Sequence, residues 1–474
     1  MKKKENSLHF FEDIAEKRDK WKKRNAYYWK DLERFCDFLI PEYASVLEIG
    51  CGTGDLLASL KSRKKTGIDF SRKMIDIAKK KYPEILFQVM EAENLLMEEK
   101  FDYIIISNTI GYLEDIQKVF SELKKISHSN TRVIITYYNF LWQPILSLGE
   151  FFGFRMRQPK QNWLSRADIK NLLYLADFDT YKEGERLVIP FYIPLFSIFF
   201  NKYFAKFPLV RKFSLTDYVI AKPLAVKNEI DLKNAYSVSV IIPARNESGN
   251  IENAVLRTPQ MGKHTEIIFI EGNSTDDTWK TIQEVAEKYK TIRDIKIERQ
   301  DGRGKGDAVR KGYDMASGDI LMILDADLTV PPEDLPKFYD AISSGKGEFI
   351  NGSRLVYNMD KKAMRFLNLL GNKFFSIAFT WLLDQRFKDT LCGTKVLFKS
   401  DYEHLKMGRK FFGDFDPFGD FDLIFGASKL NLKIIEIPVR YKERTYGSTN
   451  ISRFKHGLIL LRMCLFASRK IKFI

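Results

Sequence analysis

The chain is 474 residues long, carries a net charge of +15 and has a hydrophobic fraction of 45%. This length predicts two domains, and the hydrophobic fraction is that of a globular protein. The sequence contains neither zinc-finger spacing nor an RNA-binding signature. The positive charge therefore indicates a phosphate or an acidic lipid as partner, and nucleic acid is not expected.

The expected location is the cytoplasm. The four cysteines are scattered along the sequence and show neither pairing nor metal-ligand spacing. They are Cys36, Cys51, Cys392 and Cys464. Such scattered cysteines indicate reduced thiols. No apolar leader follows Met1, and no segment reaches the roughly 17–20 uninterrupted apolar residues that a spanning helix needs.

The first motif in chain order follows residues 8–40, which we predict to be helical and to form a lid or flank. It reads Glu48-Ile-Gly50-Cys-Gly52-Thr-Gly54, between a short strand and a helix predicted over residues 55–62. Its three glycines permit a tight turn and close approach of a ligand to the backbone. Asp69 closes the next short strand, where an acid is placed to accept hydrogen bonds from ribose hydroxyls.

This pattern resembles the class I S-adenosylmethionine-dependent methyltransferases, whose first motif is acid-x-Gly-x-Gly-x-Gly. The resemblance implies a Rossmann-like methyltransferase domain over residues 1–222, with S-adenosyl-L-methionine as cofactor. It assigns cofactor binding to the following residues: Glu48, Gly50, Gly52, Gly54, Asp69, Glu91 after the third strand and Asn108 after the fourth. The alternative is a dinucleotide-binding domain for NAD, but the glycine spacing here is not Gly-x-Gly-x-x-Gly.

Two strongly apolar segments, residues 140–146 and 188–200, follow within the same domain. Pro190 and Pro194 interrupt any helix there, and thirteen residues are too few to cross a membrane. Basic residues follow the second segment. We therefore expect either a cap over the acceptor site or a segment that lies against a membrane surface.

Residues 223–236 form the predicted linker, and a second doubly wound domain is expected over residues 237–474. Its first strand leads into Pro243-Ala-Arg245-Asn-Glu247, and its second strand ends in an acidic turn that begins at Glu271. A basic glycine loop that contains Lys305 precedes the next helix. A helix start with free N–H groups beside basic side chains suits a phosphate.

The strand over residues 320–324 ends in Asp325-Ala-Asp327. Taken alone, this pair fits an ordinary solvated turn. At the carboxyl end of a buried strand, however, two carboxylates spaced i, i+2 can hold a hard divalent cation together with a diphosphate.

The ordered set of motifs from residue 243 to 327 resembles the family 2 glycosyltransferases of the GT-A fold. The most similar type is the polyprenyl-phosphate (dolichyl-phosphate) mannosyl or glucosyl synthases. The resemblance implies a Mg²⁺ or Mn²⁺ ion on Asp325 and Asp327 as metal ligands and catalytic residues. It also implies a nucleotide-sugar donor bound by Pro243, Arg245, Glu247, Glu271, Lys305 and Asp325. The family commonly has Asp-Asp-Gly-Ser where this chain has Glu271-Gly-Asn-Ser274. The resemblance therefore does not determine which nucleobase Glu271 contacts.

The same resemblance assigns acceptor binding to Arg354, Arg444 and Ser448. Asp420 and Asp422 fall in its late acidic motif and are further catalytic candidates. A polyprenyl phosphate acceptor is already ionised and needs only orientation and charge screening, which predicts inverting transfer without a base. A sugar hydroxyl acceptor would instead need Asp420 or Asp422 as base.

Residues 364–383 and the tail from residue 454 combine apolar and basic side chains. They are predicted to lie on an anionic leaflet, at the cytoplasmic face of the membrane, or else to pack on their own domain. The predicted fold class is thus α/β, with two doubly wound domains in a bifunctional enzyme. There are two rival functions. One is a nucleotidyltransferase, in which the glycine loop is expected directly after the first strand. The other is a scaffold with an inactive methyltransferase half.

Overall fold

The computed structural model describes residues 2–159, 161–224, 235–354, 366–409, 421–442, 444, 446 and 453–473. The chain divides into two compact units, one of Met1–Leu224 with Phe473–Ile474 and one of Ala225–Lys472. Two of the predicted site residues, Asp420 and Ser448, lie outside the described residues.

The first unit contains a seven-stranded sheet in the order β3-β2-β1-β4-β5-β7-β6. The strands are β1 Ser45–Ile49, β2 Lys64–Asp69, β3 Leu86–Val89, β4 Phe101–Ser107, β5 Ser127–Tyr138, β6 Phe178–Arg186 and β7 Thr216–Pro223. The pairs from β3 to β5 are parallel, and β7 runs antiparallel to both β5 and β6. The strand order reverses between β1 and β4, which is where doubly wound folds bind ligands.

The helices of this unit are α1 Lys2–Arg24, α2 Ala26–Leu39, α3 Asp55–Ser59, α4 Arg72–Lys81, α5 Ile116–Lys125, α6 Gln143–Phe151, α7 Arg166–Leu175 and α8 Phe196–Lys202. Short 3-10 turns cover Ile110–Tyr112, Phe140–Trp142, Phe204–Lys206 and Val210–Phe213. Along β1, Leu47 and Ile49 join one core cluster and Val46 joins the other. This alternation buries both faces of the sheet, as a parallel strand requires.

The second unit contains another seven-stranded sheet, in the order β10-β9-β8-β11-β13-β12-β14. Its strands are β8 Ser237–Ala244, β9 His264–Glu271, β10 Asp294–Arg299, β11 Ile320–Ile323, β12 Phe349–Ser353, β13 Lys395–Phe398 and β14 Ile434–Pro438. Only β13 is reversed, being antiparallel to β11 and β12. The carboxyl ends of the other strands and the chain entering β13 therefore lie at one edge of the sheet.

Its helices are α9 Ile251–Arg257, α10 Thr278–Tyr289, α11 Lys305–Met315, α12 Leu335–Ser343, α13 Phe366–Leu383, α14 Lys399–Gly408, α15 Phe421–Lys429 and α16 Arg453–Ala467. Shorter helical turns cover Ser248–Asn250, Pro332–Asp334 and Ser468–Lys472. Among the described residues, no helix combines the length and the apolar character that crossing a membrane requires.

The predicted fold class, two doubly wound α/β domains, is confirmed. Two local predictions need correction. The helix expected over residues 55–62 ends at Ser59, because Leu60 takes an extended backbone. The edge strand β10 was not predicted, since its Asp-Ile-Lys-Ile-Glu-Arg sequence is mostly polar and only partly buried.

Candidate functional sites

The glycine loop of the first unit follows β1 directly. Gly50, Gly52 and Gly54 all have positive φ, at 74°, 54° and 81°. A Cβ on Gly50 would overlap the side chain of Thr109, which follows β4. A Cβ on Gly52 would lie 3.0 Å from the guanidinium of Arg18. Conformation and close packing together therefore require glycine at both positions.

Asp69, at the end of β2, holds this loop in place. Its Oδ2 accepts a hydrogen bond from the Gly52 N–H at 2.8 Å, and its Oδ1 accepts one from the Ser71 N–H at 2.9 Å. Burial raises the pKa of Asp69 above its ordinary value, although these two N–H groups act in the opposite direction. A carboxylate has about four acceptor positions, so capacity for ribose hydroxyls remains.

Glu48 lies beneath the loop and is buried. Burial raises its pKa to about 8, while the nearby Lys22 and Arg18 oppose the shift. Within the part of the chain that the structure describes, its Oε2 has no hydrogen-bond partner. Glu48 is thus a protonatable group under the loop and lies outside the cavity wall.

A cavity of ≈ 740 Å³ opens beside the loop and is lined by Gly50, Asp69 and Asn108. At the end of β3 the lining residues are Met90, Ala92 and Glu93, whereas the side chain of the predicted Glu91 is exposed. This volume lies in the upper part of the usual range for ligand sites, roughly 300–1,000 Å³.

Asn108 contributes a polar group to the cavity from a left-handed backbone conformation, with φ at 52°. The Tyr28 hydroxyl donates a hydrogen bond to Asn108 Oδ1 at 3.0 Å. The amide Nδ2 of Asn108 has no partner among the described residues. A buried amide donor beside the glycine loop is available to a ligand.

The helices α1 and α2 form one wall of the cavity through Phe11, Arg18, Trp21 and Tyr28. These residues were predicted to form only a lid or flank, without ligand contact. The available sequence signal was the aromatic side chains, among them Trp21 and Tyr28, that stand between many charged residues of this segment.

In the second unit, Asp325 follows β11 and pairs with Lys305 from the start of α11. The Lys305 Nζ lies 2.5 Å from Asp325 Oδ1. Burial would raise the pKa of Asp325, but Lys305, with smaller contributions from Lys395 and Arg354, holds the pKa below its usual value. Gly393 packs against this ion pair, and a Cβ there would overlap Asp325 Oδ2.

Asp327 pairs instead with Arg444, whose Nη2 lies 2.7 Å from Asp327 Oδ2. The other oxygen, Oδ1, accepts hydrogen bonds from the Thr329 N–H and hydroxyl. The same arginine donates from Nη1 to Glu247 Oε1 at 2.8 Å. Arg444 therefore bridges the loop after β8 and the loop after β11.

The loop after β8 is also joined to the acidic turn after β9. The Asn246 N–H donates to Ser274 Oγ at 3.0 Å, and the Thr275 N–H donates to Asn246 Oδ1 at 2.8 Å. Glu271 is buried and accepts a hydrogen bond from the Ser274 N–H at 2.5 Å. Pro243 is half-buried, while Arg245 is exposed beside this turn.

Arg354, predicted to bind the acceptor, forms a two-pronged ion pair with Asp389. Its Nε and Nη2 each lie 2.8 Å from a different oxygen of the carboxylate. Asp389 is fully buried. Burial would raise the pKa of Asp389, but the guanidinium holds it below its usual value. This geometry gives Arg354 a structural partner that the sequence did not indicate.

Asp422, on the first turn of α15, lies near two arginines. Its Oδ2 is 3.4 Å from Arg409 Nε and 3.9 Å from Arg310 Nη1. Arg310 belongs to α11, the helix that begins at Lys305. This late acid is thus placed among cations.

Asp325 and Asp327 are the residues of this edge that could hold a divalent cation. No cluster of three or more His, Cys, Asp or Glu side chains with metal-ligand geometry occurs in the described ranges. Two carboxylates are nevertheless the usual protein share of a Mg²⁺ site that substrate phosphates complete. The oxygen donor set fits such an ion.

Two further residues lie near Asp325. Gly393 packs against the carboxylate, and the fully buried Lys395 adds positive charge nearby. The resemblance to family 2 glycosyltransferases assigns both to an acceptor-side loop, and their approach to Asp325 was not predicted. Gly393 precedes the antiparallel β13 and Lys395 begins it, so the reversal of this strand brings them to the end of β11.

Comparison with known proteins supports both resemblances. Residues 46–129 match the family model for a methyltransferase domain, and residues 239–405 match that for glycosyl transferase family 2. The chain therefore carries a methyltransferase domain and a family 2 glycosyltransferase domain, and both predictions are confirmed.

Among the relatives, a dolichol-phosphate mannosyltransferase of Pyrococcus furiosus is 42% identical over 25% of this chain and 33% of its own length. The dolichol-phosphate mannosyltransferase of Saccharomyces cerevisiae is 38% identical over 22% of this chain and 40% of its own. An undecaprenyl-phosphate 4-deoxy-4-formamido-L-arabinose transferase of Edwardsiella ictaluri is 31% identical over 24% of this chain and 36% of its own length. The chain thus spans 33% and 40% of the length of the first two relatives.

Two solved structures are similar to parts of the chain. A possible histamine N-methyltransferase of Thermotoga maritima is 19% identical with a TM-score of 0.37, covering 46% of this chain and 99% of that one. Glucosyl-3-phosphoglycerate synthase of Mycobacterium tuberculosis, in complex with Mn²⁺ and uridine diphosphate, is 17% identical with a TM-score of 0.37. It covers 52% of this chain and 85% of that one.

Proposed function

We propose that this chain, which joins a methyltransferase domain to a family 2 glycosyltransferase domain, is a bifunctional enzyme. Its second unit transfers a sugar from a nucleotide-sugar to a polyprenyl phosphate, with inversion at the sugar. Its first unit transfers a methyl group from S-adenosylmethionine to an acceptor. We take residues 1–222 and 237–474 as the two domains and residues 223–236 as the linker. The observation that carries the glycosyl transfer is the pairing of Asp325 with Lys305 and of Asp327 with Arg444 at one sheet edge.

The leaving diphosphate needs its developing negative charge neutralised. Asp325 and Asp327 would hold Mg²⁺ or Mn²⁺, which supplies that neutralisation when bound to the diphosphate. Lys305 lies at the start of α11, where N–H groups and an ammonium together favour a phosphate. Glu247 and Glu271, in the loop after β8 and at the end of β9, are proposed to contact the nucleoside of the donor.

The acceptor is proposed to be a lipid phosphate because three relatives bear the names of dolichol-phosphate or undecaprenyl-phosphate transferases. An ionised phosphate oxygen attacks the anomeric carbon while the bond to the nucleoside diphosphate breaks. No base is needed for that attack. The proposed acceptor-side residues are Arg354, Arg444 and Ser448. Arg354 and Arg444 are held in position by the carboxylates with which they pair, Asp389 and Asp327.

For the methyl transfer, Asp69, Asn108 and the glycine loop are proposed to bind S-adenosylmethionine, which supplies an electrophilic methyl group when bound. Glu48 would support the loop from beneath, and Gly54 and Glu91 would lie at its margins. The acceptor atom supplies the electron pair of the new bond to the methyl carbon and releases its proton, while the electron pair of the broken methyl–sulfur bond stays on the sulfur. Such a reaction depends mainly on alignment of the two reactants.

The second unit is proposed to work at the cytoplasmic face of a membrane. Helices α13 and α16 pack Phe379 and Leu460 into the core, yet leave Phe374, Ile377 and Leu458 exposed. Exposed apolar side chains beside basic ones suit an anionic leaflet. The four cysteines are free thiols, in keeping with a reducing compartment.

The glycosyl transfer can be tested with labelled nucleotide-sugars, Mn²⁺ and a polyprenyl phosphate. We expect Asp325→Asn and Asp327→Asn each to reduce transfer by about 10²-fold or more. Asp301→Asn is the matched control, because that carboxylate is 87% exposed in the glycine loop. Undiminished transfer in the first two variants would refute the metal assignment. Release of pyrophosphate instead of a nucleoside diphosphate would identify a nucleotidyltransferase.

The base-dependent alternative is separated by Asp422→Asn. A lipid phosphate acceptor predicts transfer within a few-fold of the unaltered protein, since no proton must be removed. A loss of about 10²-fold that affects only hydroxyl acceptors would favour Asp422 as a base.

The methyltransferase half is tested by calorimetric titration with S-adenosylmethionine. Asp69→Asn should weaken binding, because the amide cannot accept from both backbone N–H groups and a ribose hydroxyl. Absence of binding by the unaltered protein would leave a scaffold as the better description of this unit.

A further inference from the structure

The first unit carries an unusual amount of exposed apolar surface in two segments, residues 140–154 and 191–213. Of the 35 large hydrophobic side chains that are exposed in the described part of the chain, 19 belong to these segments. They include Phe151 at 74% exposure, Leu195 at 84% and Leu209 at 77%. Contiguous apolar patches of this kind mark an interaction site on a soluble protein.

The two segments form one surface, which we call the apolar rim. The Trp142 indole N–H donates to the Phe213 carbonyl at 2.8 Å, and the Asn139 amide donates to the Lys212 carbonyl at 3.1 Å. These bonds join the start of the first segment to the end of the second.

The apolar rim borders the cavity of the methyltransferase unit. Leu148, Phe152, Phe154 and Phe191 all line the cavity and are all more than half exposed. The same side chains therefore face both the cavity and the solvent. A ligand that enters past them meets apolar surface on the way to the glycine loop.

Charge indicates what covers this surface. The two segments contain one acid, Glu150, and four basic side chains, which are Lys202, Lys206, Arg211 and Lys212. The adjoining Arg155 pairs with Glu150 at 2.5 Å, Arg211 pairs with Glu185 at 3.3 Å and Lys206 is buried, so Lys202 and Lys212 supply the exposed positive charge. Lys202 and Lys212 are exposed among the aromatic residues. Lysine is depleted in protein–protein interfaces, whereas Lys beside Phe and Leu is typical of surfaces that bind anionic lipid.

We propose that the apolar rim docks on an anionic lipid bilayer and that the methyl acceptor is an amphiphile presented from that bilayer. The amphiphilic acceptor rests on the proposed methyltransferase activity, whereas the docking does not. The apolar rim belongs to the first unit alone and is separate from any contact of α13 and α16 with a membrane.

The docking is tested on the full chain with a fluorophore at single introduced cysteines. All four native cysteines are buried, so surface labelling at a new cysteine is selective. We choose Leu195→Cys, Leu209→Cys and Phe151→Cys on the rim. The control is Leu96→Cys, which lies in the same unit at 78% exposure but outside both segments.

Vesicles of neutral lipid with a third of anionic phosphatidylglycerol should blue-shift an environment-sensitive fluorophore at the three rim positions and leave the Leu96 position unchanged. Lys202→Glu/Lys212→Glu should weaken this response by about tenfold or more, because two attractive charges become repulsive. No response at the rim, or an equal one at the Leu96 position, would overturn the proposal. A rim response that grows with protein concentration and needs no vesicles would identify a second copy of the chain as the occupant.

The acceptor class is tested with methyl-labelled S-adenosylmethionine and a membrane extract. We expect the label in the organic phase. Leu209→Glu, at a rim position outside the cavity wall, should reduce its transfer several-fold while S-adenosylmethionine binding stays unchanged in calorimetry. Label confined to water-soluble products would overturn the lipid acceptor. Failure of S-adenosylmethionine to bind would instead remove the proposed methyltransferase function, and the fluorophore result would still decide the docking.

Discussion

Arg444 and Asp327 lie 117 residues apart in the chain and form an ion pair with 2.7 Å between Nη2 and Oδ2. The same guanidinium holds Glu247 at 2.8 Å from Nη1. Asp325 is likewise paired with Lys305. Each carboxylate of the proposed metal site thus already has a cationic partner within the protein, and a bound metal ion would compete with that partner.

Arg444→Gln should tighten Mn²⁺ binding in the absence of donor by about tenfold, because a competing unit charge next to Asp327 is removed. The same change should lower glycosyl transfer by about 10²-fold, because the bridge between the two loops is lost. Electron paramagnetic resonance of Mn²⁺ and a transfer assay measure the two effects. Arg257→Gln is the control, since Arg257 forms a comparable two-pronged pair with the exposed Glu333. Equal Mn²⁺ affinity in both variants would contradict the competition.

Lys305→Met should raise the pKa of Asp325, because burial then acts without its main opposing charge. The carboxylate binds metal only when ionised. As the pH falls, Mn²⁺ binding should therefore be lost at a midpoint about one pH unit or more above that of the unaltered protein. Lys311→Met, on the same helix and paired with exposed Asp301, should leave the midpoint in place. An unchanged midpoint in the Lys305 variant would mean that Lys305 does not control Asp325.

Gly393→Ala should weaken Mn²⁺ and donor binding by about tenfold, because the new methyl group would overlap Asp325 Oδ2 and force the carboxylate to move. Gly371→Ala provides the matched control, as a Cβ at Gly371 meets no atom of the described residues within 4 Å. Isothermal titration with Mn²⁺ and nucleotide-sugar measures both. Normal binding in the Gly393 variant would show that the loop before β13 moves to accommodate the methyl group without displacing Asp325.

Arg354→Met should destabilise the second unit by about 3–5 kcal/mol, since it leaves the fully buried Asp389 without its counter-charge. Arg354→Met/Asp389→Leu should recover most of that loss. Hydrogen exchange of β12 peptides reports the stability of this unit by itself. If Arg354→Met keeps normal protection from hydrogen exchange but raises the KM for polyprenyl phosphate, Arg354 binds the acceptor and does not stabilise the unit.

Stability of the first unit should fall as the pH rises from about 5 to 8, because of Glu48. Its pKa of about 8 in the folded protein exceeds the ordinary value of 4.5. The folded state therefore binds more protons than the unfolded state within this window, and the free energy of unfolding decreases as pH increases.

Glu48→Gln should remove that pH dependence, giving a variant similar to the unaltered protein at pH 5.5 and more stable at pH 8.5. The expected difference is about 1–3 kcal/mol. Hydrogen exchange of β1 and β4 peptides, corrected for intrinsic rates, measures it. Parallel pH profiles in the two proteins would rule out Glu48 as the titrating group.

The amino-acid sequence alone determined the central buried strands of both sheets and the residues at their carboxyl ends. Buried parallel strands are short apolar runs, and a motif that follows such a run must lie at the carboxyl end of that strand. Asp69, Glu271 and Asp325 could be positioned in this way without any tertiary information. A methyltransferase motif followed by the ordered glycosyltransferase motifs was sufficient to identify both domains.

The partners of these residues were decided by the tertiary structure. Arg444 forms an ion pair with Glu247, which lies 197 residues away in the chain, and Arg354 forms one with Asp389. The reversal of β13 brings Gly393 to Asp325, and α1 brings Arg18 to Gly52. Sequence patterns report the period of local elements, but an ion pair or a cavity wall depends on how distant elements pack. For the same reason the sequence showed the apolar segments of the first unit, and only the structure showed that they remain exposed at the cavity.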